Sequence, residues 1–222
     1  SIIYMYTEAF GRASYLVSRS RGKKSTVSKA LFIPLSVLEM EVEHLNKRDL
    51  HRIKETRICF PLNDVCCDPV KNVLALFLSE VLFRVVKDTE PDPRLFDYLY
   101  ESIHLLEYAD KGIANFHMVF LLGLLHHLGI FPNMESHRVG YYFDMLNGVF
   151  TDHIPMHRHY LNKVESAFFS RLLRISFENM SLYGFSRQER VRIIHRILEY
   201  YCLHLPDFPE IKSLSVMQSL LD

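Results

Sequence analysis

Residues 36–44 read Ser36-Val37-Leu38-Glu39-Met40-Glu41-Val42-Glu43-His44, an alternation of apolar and acidic side chains. Successive side chains of a β-strand point to opposite faces, so this period predicts a strand with one buried face and one wet face. A polar turn follows at 46–49, and residues 50–59 are a candidate neighbouring strand. Its cations are expected to lie opposite the glutamates; they are Arg52, Lys54 and Arg57.

The first residues of the chain carry a second strand signal. A β-branched and aromatic run spans residues 2–7, a turn follows it, and an extended pattern resumes over residues 12–18, which predicts a hairpin. Because Ser1 leads directly into this run, we expect a further N-terminal segment before it. A small antiparallel sheet with one wet face needs closure or cover, so other elements are expected to pack on it.

The period becomes helical after Pro61. Asp68-Pro69 and Asp92-Pro93 each provide an N-cap and a first-turn proline for an amphipathic helix. A third predicted helix, over about 115–128, is apolar nearly all round, as expected at the centre of a bundle. Its asparagine and histidines favour a buried core helix over a membrane span.

Two more helices are predicted over about 162–183 and 186–203. The second opens on Ser186-Arg187-Gln188-Glu189, a capping box. Residues from 132 to about 160 have poor periodicity and are expected to form an irregular insertion. The fold class is therefore predicted to be α+β, with a β domain over 1–60 and a helical domain over 61–222.

A positive region stands out in a chain whose 26 basic and 26 acidic residues balance. No acid occurs between Glu8 and Glu39, and the cations there attract phosphates and release their counterions. The alternative is that they only solubilise a hairpin loop. Aromatic residues nearby offer stacking surfaces for bases, although strand alternation favours a core role for them. The predicted DNA-binding residues are Arg12, Arg19, Arg21, Lys23, Lys24 and Lys29. The aromatic residues are Tyr4, Tyr6, Phe10, Tyr15 and Phe32.

A metal site is the main chemical alternative. His153, His157 and His159 form the densest group of histidines and lie beside Asp152, but Pro155 interrupts any helix that would align them. The common catalytic templates, such as the nucleophile elbow and the Walker phosphate loop, do not occur in the sequence. We therefore expect neither a metal, nor another cofactor, nor an enzyme. The four cysteines form no CxxC pair, and no secretory signal opens the chain, which favours the cytoplasm.

The order of these landmarks resembles the RecO family of DNA repair proteins, most closely its Bacteroides-like forms. The resemblance runs through the chain, and no single segment carries it alone. It rests on the stretches Tyr6-Thr7-Glu8-Ala9-Phe10-Gly11-Arg12-Ala13-Ser14-Tyr15-Leu16-Val17, Arg19-Ser20-Arg21-Gly22-Lys23-Lys24, Pro34-Leu35-Ser36-Val37-Leu38-Glu39, Leu50-His51-Arg52-Ile53-Lys54-Glu55, Leu76-Phe77-Leu78-Ser79-Glu80-Val81-Leu82, residues 121–133, which end Leu128-Gly129-Ile130-Phe131-Pro132-Asn133, and Leu203-His204-Leu205-Pro206-Asp207-Phe208.

The resemblance implies an N-terminal OB-fold, a five-stranded Greek-key barrel of which four strands are found here, followed by a helical bundle. It implies binding of single- and double-stranded DNA, annealing of complementary strands, and loading of RecA onto coated strands. The implied partners are RecR and the acidic C-terminal tail of single-stranded-DNA-binding protein, and the implied location is the cytoplasm, at the nucleoid. Many members carry a four-cysteine zinc site after the position of Asn133, where this chain has no cysteine, so we expect no metal here.

Two other functions remain open on the residues alone. A protein-interaction scaffold would have the same fold but no salt-dependent affinity for DNA. A metal-dependent enzyme would use the histidines near His157 and would contain stoichiometric metal.

Overall fold

The computed structural model describes residues 1–17, 29–45, 48–87 and 90–221. The strands are β1 (Ile2–Thr7), β2 (Gly11–Leu16), β3 (Leu38–Glu43), β4 (His51–Ile58), β5 (Tyr142–Asp144), β6 (Val149–Thr151) and β7 (Tyr160–Leu161). The helices are α1 (Asn63–Cys67), α2 (Pro69–Val85), α3 (Pro93–Tyr108), α4 (Ile113–His127), α5 (Lys163–Leu172), α6 (Arg187–His204) and α7 (Ser213–Leu220). This content confirms the α+β class.

The first four strands form one sheet in the order β1-β2-β4-β3. β1 and β2 make the predicted hairpin, β3 and β4 make a second antiparallel pair, and the hairpins join through parallel pairing of β2 with β4. β1 and β3 are the edges, and within the described ranges they do not pair with each other. The barrel implied by the family resemblance is therefore not closed by these strands. The edges line a cleft of about 630 Å³ against α2 and α3.

Capping residues set the predicted helix starts. The Asp68 carboxylate accepts hydrogen bonds from the backbone N–H groups of Val70 and Lys71 at the start of α2, and Asp92 serves α3 in the same way. The predicted capping box at Ser186 is present at the start of α6. Both interpretations from the sequence are confirmed.

Tertiary contacts create helices that the sequence pattern did not show. The buried Glu107 carboxylate on α3 accepts hydrogen bonds from the backbone N–H groups of Asp64 (2.9 Å) and Val65 (3.0 Å), which stabilises the start of α1. The Glu80 carboxylate on α2 similarly accepts from the backbone N–H groups of Lys212 and Ser213, at the start of α7. Each carboxylate comes from a distant part of the chain, so no local pattern announces these caps.

The predicted helix over about 162–183 is wrong beyond Leu172, where α5 ends. The Asn179 side chain accepts a hydrogen bond from the Ser176 backbone N–H and donates one to the Arg174 oxygen, so the backbone turns instead of continuing the helix. Asn115 on α4 then donates from Nδ2 to two backbone oxygens of the segment that follows, at 2.9 and 2.8 Å. These side-chain contacts replace the helical hydrogen bonds.

The stretch that was predicted to be irregular contains a three-stranded sheet in the order β6-β5-β7. Phe143 on its central strand is fully buried. The Asp144 carboxylate accepts hydrogen bonds from the backbone N–H groups of Leu146 and Asn147 and thereby closes the β5–β6 turn. Burial alone raises the pKa of Asp144, but these donors and the Asn147 amide bring the pKa below its ordinary value.

The contacts divide the chain into two compact units. The first contains Ser1–Ala109 and Ile211–Leu220, and the second contains Asp110–Glu210 and Leu221–Asp222. These units are defined by the density of contacts within them. Their boundary near residue 110 differs from the predicted boundary between strands and helices near residue 60. The assignment of 1–60 to a DNA-binding domain and 61–222 to a helical domain stays a prediction.

The core of the second unit contains an ionisable side chain. His117 on α4 is 1% exposed, and burial, with the positive charge of Arg190 on α6, lowers its pKa to about 3. The neutral imidazole is therefore the form that the folded core accepts, whereas the unfolded chain takes up a proton near the ordinary pKa of about 6.5.

This difference predicts a pH dependence of stability. Stability linked to His117 is complete above pH 6.5 and declines as the pH falls from there toward 3, by about 1.4 kcal/mol per pH unit. Urea unfolding of wild type and His117→Leu over this pH range will show a shallower decline in the variant. His195→Gln, at an exposed position of α6, is the control and will keep the wild-type decline. Equal declines in all three proteins would contradict this account.

Candidate nucleic-acid interface

The predicted basic loop leaves the sheet after β2. Four of its cations, Arg19, Arg21, Lys23 and Lys24, lie outside the described residues. Lys29 is the first residue of a short 3-10 helix, Lys29–Leu31, that precedes β3. Of the six predicted DNA-binding residues, the structure therefore describes Arg12 and the backbone of Lys29. The other four stay a prediction.

Arg12 lies on β2, and its guanidinium binds the C-terminal end of α2. Nη1 donates hydrogen bonds to the backbone oxygens of Phe83 (3.0 Å) and Val86 (2.8 Å). The guanidinium carbon also lies 4.7 Å from the ring centroid of Phe83 and 5.5 Å from that of Tyr4. A cation is favourable at the negative end of the helix dipole and over aromatic rings. Arg12 therefore has a structural role that the sequence did not reveal, because its partners are distant in the chain.

The five aromatic residues near the basic loop have different surroundings. Tyr15 is fully buried, which raises the pKa of its hydroxyl. Tyr6 exchanges hydrogen bonds with the backbone of Asp92, and Phe10 and Phe32 are half-buried against the cleft. Tyr4 is 51% exposed, so within this set it alone presents half of its surface. The core role that strand alternation favoured is therefore confirmed for Tyr15 alone, and Tyr6, Phe10 and Phe32 are half-buried.

The glutamate row on β3 is largely neutralised by β4. Arg57 forms an ion pair with Glu39, and the Lys54 ammonium lies 3.4 Å from a Glu41 carboxylate oxygen. A register shift between Glu41 and Val42 sets Glu41 opposite Glu55 in the ladder, so Lys54 reaches Glu41 from an adjacent position. The predicted cross-strand pairs are confirmed at these two positions.

A stack of three rings joins the ends of the two hairpins. The Phe10 ring lies parallel to His44 with centroids 3.9 Å apart, and His44 stacks on His51 at 3.8 Å. His51 Nδ1 also accepts a hydrogen bond from the backbone N–H of Leu45 (3.3 Å), within the β3–β4 turn. Sequence reasoning missed this cluster, since its members come from two separate turns.

The histidines of the metal hypothesis bind separate carboxylates. His157 Nε2 lies 3.3 Å from an Asp144 oxygen, and His159 Nδ1 lies 3.4 Å from a Glu199 oxygen. His153 contacts its neighbour Asp152. Within the described ranges, no three His, Cys, Asp or Glu side chains converge as metal ligands would. The side chains of this insertion therefore do not fit the zinc that many RecO proteins hold there.

Membrane-spanning helices need about 20 apolar residues in succession. Across the described parts of the chain, no helix combines the length and apolar character needed to cross a membrane.

Comparison with known proteins decides the family. Residues 67–214 match the family model described as "Recombination protein O C terminal". Two proteins named DNA repair protein RecO align over the whole chain and 92% of their own length: one from Azobacteroides pseudotrichonymphae is 41% identical, and one from Bacteroides fragilis is 44% identical. A third, from Phocaeicola vulgatus, is 41% identical over 99% of the chain.

The chain belongs to the RecO family.

The match to the RecO family model and the matches to the full-length relatives cover different parts of the fold. The family model spans α2 to α6 and the beginning of α7, so the sheet β1–β4 lies before it. The RecO relatives, in contrast, align with the sheet as well as the helices. The resemblance inferred from the order of landmarks is therefore confirmed over the whole length.

The contacts of Arg12 predict a loss of stability on substitution. Arg12→Gln removes a charged donor from two backbone oxygens, so we expect the free energy of unfolding to fall by about 2 kcal/mol. Arg94→Gln, at an exposed position on α3, is the control and should change stability by less than about 0.5 kcal/mol. Denaturant unfolding of the two variants checks this, and equal losses would show that Arg12 does not anchor α2.

Proposed function

We propose that this protein is a DNA repair and recombination mediator that binds single- and double-stranded DNA. The observation that carries the proposal is its membership of a family whose named relatives are DNA repair proteins. The proposed phosphate contacts are Arg12, Arg19, Arg21, Lys23, Lys24 and Lys29. Arg12 has one guanidinium nitrogen already bound to α2, so its contact with phosphate would use the others.

The proposed mechanism is electrostatic. Cations that neutralise the phosphates of two strands lower the repulsion between those strands and raise their local concentration, which favours annealing. The chain as a whole is neutral, but no acidic residue occurs between Glu8 and Glu39. This uneven distribution of charge supports a DNA-binding surface that is confined to one part of the protein. Pairing of Glu39 and Glu41 with cations on β4 further lowers the negative charge of the sheet. We propose no covalent reaction step.

The proposed partners follow from the family. They are RecR, with which the protein would load RecA onto coated strands, and the acidic C-terminal tail of single-stranded-DNA-binding protein. An acidic, hydrophobic peptide is suited to an apolar groove rimmed by cations, which we assign to the helical part of the chain. A protein with these partners would act in the cytoplasm, at the nucleoid.

Titration of a fluorescein-labelled single strand, followed by anisotropy over a series of salt concentrations, tests the DNA-binding loop. In the test variant Arg19, Arg21, Lys23 and Lys24 are replaced by alanine. We expect wild-type affinity to fall steeply with salt and the slope to be shallower in the variant by about 0.7 for each phosphate that the variant no longer binds. A control variant, in which four exposed cations of the second unit are replaced by alanine, should keep the wild-type slope. These are Lys111, Arg158, Arg171 and Arg174.

The outcomes separate the site from the function. Equal slopes in wild type and loop variant would remove the site assignment but leave DNA binding in place. No binding by wild type at low salt would favour an interaction scaffold without direct DNA contact.

A further inference from the structure

The start of β4 lies next to the end of β2, where the basic loop begins. β2 and β4 are parallel neighbours with Tyr15 beside His51 and Leu16 beside Arg52, and the basic loop leaves β2 after Val17. Leu16 and Arg52 are both exposed. A cation at the start of β4 is thus adjacent to the strand residues from which the proposed phosphate-binding loop begins.

The cations of this hairpin differ in whether they are neutralised. Lys54 and Arg57 form ion pairs with glutamates of β3. Arg48 and Arg52 are exposed, and neither forms an ion pair with any described residue. Glu43 is opposite Arg52 in the ladder but makes no ion pair with it in the described structure, and Asp49 is next to Arg48 in the chain. Among the described cations of this hairpin, Arg48 and Arg52 are therefore outside ion pairs, whereas Lys54 and Arg57 are bound to glutamates.

A ring stack holds the end of β3 against the start of β4. His51, 7% exposed, stacks on His44, which in turn stacks on Phe10 from the β1–β2 turn. Its Nδ1 accepts the hydrogen bond from the Leu45 backbone N–H, which requires a neutral imidazole. Burial and the neighbouring His44 lower the pKa of His51, against a smaller opposing effect of Asp49. These contacts fix the start of β4, where Arg52 lies, and a segment that is fixed in advance does not lose that conformational freedom on binding.

We propose that Arg48 and Arg52, close to the start of β4, form a second phosphate-binding element that contacts the backbone of the nucleic-acid strand bound by the basic loop. This inference rests on the proposed DNA binding and adds residues that the sequence did not single out for it. Arginine suits the role, since its planar donors match phosphate oxygens and it stays charged at any working pH. The ligand chemistry is a polyphosphate backbone, with no contact to base edges required.

The test compares two doubly substituted hairpins of equal charge. Arg48→Gln with Arg52→Gln removes the unpaired cations, whereas Lys54→Gln with Arg57→Gln removes two cations of the same hairpin that bind glutamates. Both are titrated against labelled oligodeoxythymidine over a salt series, with the wild type and the loop variant. We expect the salt slope of the Arg48 and Arg52 variant to be shallower by about 1.4, which is about 0.7 for each of two single-strand phosphate contacts. The Lys54 and Arg57 variant should keep the wild-type slope.

Each result decides between specific contacts and general charge. An unchanged slope in the Arg48 and Arg52 variant, with the loop variant still impaired, would overturn this inference alone. Equal changes in the two hairpin variants would also overturn it, because net charge would then be the cause. If wild type does not bind at low salt, both the proposed function and this inference are wrong.

A strand with a neutral backbone provides a second readout on wild type and the Arg48 and Arg52 variant. An oligodeoxythymidine with methylphosphonate linkages offers no charged phosphate to Arg48 and Arg52. On this neutral strand we expect wild type and the Arg48 and Arg52 variant to bind with equal affinity. A difference between the two proteins that persists on this neutral strand would show that the arginines do not bind phosphate.

Discussion

The parallel pairing of β2 with β4 is the constraint on which the candidate interface depends. Parallel neighbours need a crossover connection, and here the crossover runs from Val17 to Leu50 through β3. This one connection contains the basic loop, the neutralised strand β3 and the turn with Arg48. Pairing Tyr15 with His51 therefore brings together the two ends of the connection that contains the basic loop. Without it, the two hairpins would be separate, and each would be too small to be stable alone.

Electrostatic pairing then decides which cations remain available. The chain as a whole is neutral, so its ability to attract a polyanion depends on where charges are paired. Arg12 is bound to the end of α2, and Lys54 and Arg57 are bound to glutamates. Arg48 and Arg52 make no such pairs with described residues and are exposed. A count of cations in sequence treats all of these residues alike.

The second unit shows how this member of the family stabilises its insertion with protein groups. Phe143 supplies a buried apolar centre, and the Asp144 carboxylate closes the β5–β6 turn through backbone N–H groups. The His204 imidazole lies 2.8 Å from the Met145 backbone oxygen and ties the same turn to α6. These contacts hold the strands together by hydrogen bonding and packing, the kind of support that elsewhere comes from ligation of a metal.

Local signals in the sequence determined the alternation of β3, the hairpin of β1 and β2, the aspartate–proline starts of α2 and α3, and the capping box of α6. Each depends on residues within a few positions of one another, so the backbone periodicity and capping chemistry are readable directly. The order of these landmarks also determined the family. Tertiary structure alone decided the caps of α1 and α7 by Glu107 and Glu80, the early end of α5, the small sheet β5–β7, and the anchoring of Arg12. It also decided that Arg52, at the start of β4, lies next to Leu16, at the end of β2. For Glu107, Glu80 and Arg12 the two partners are far apart in the chain, and a donor or a charge has no visible partner until the fold brings them into contact. The early end of α5 and the β5–β6 turn depend also on nearby residues, Asn179 and Asp144, whose side chains bind the backbone in ways that the hydrophobic pattern does not show.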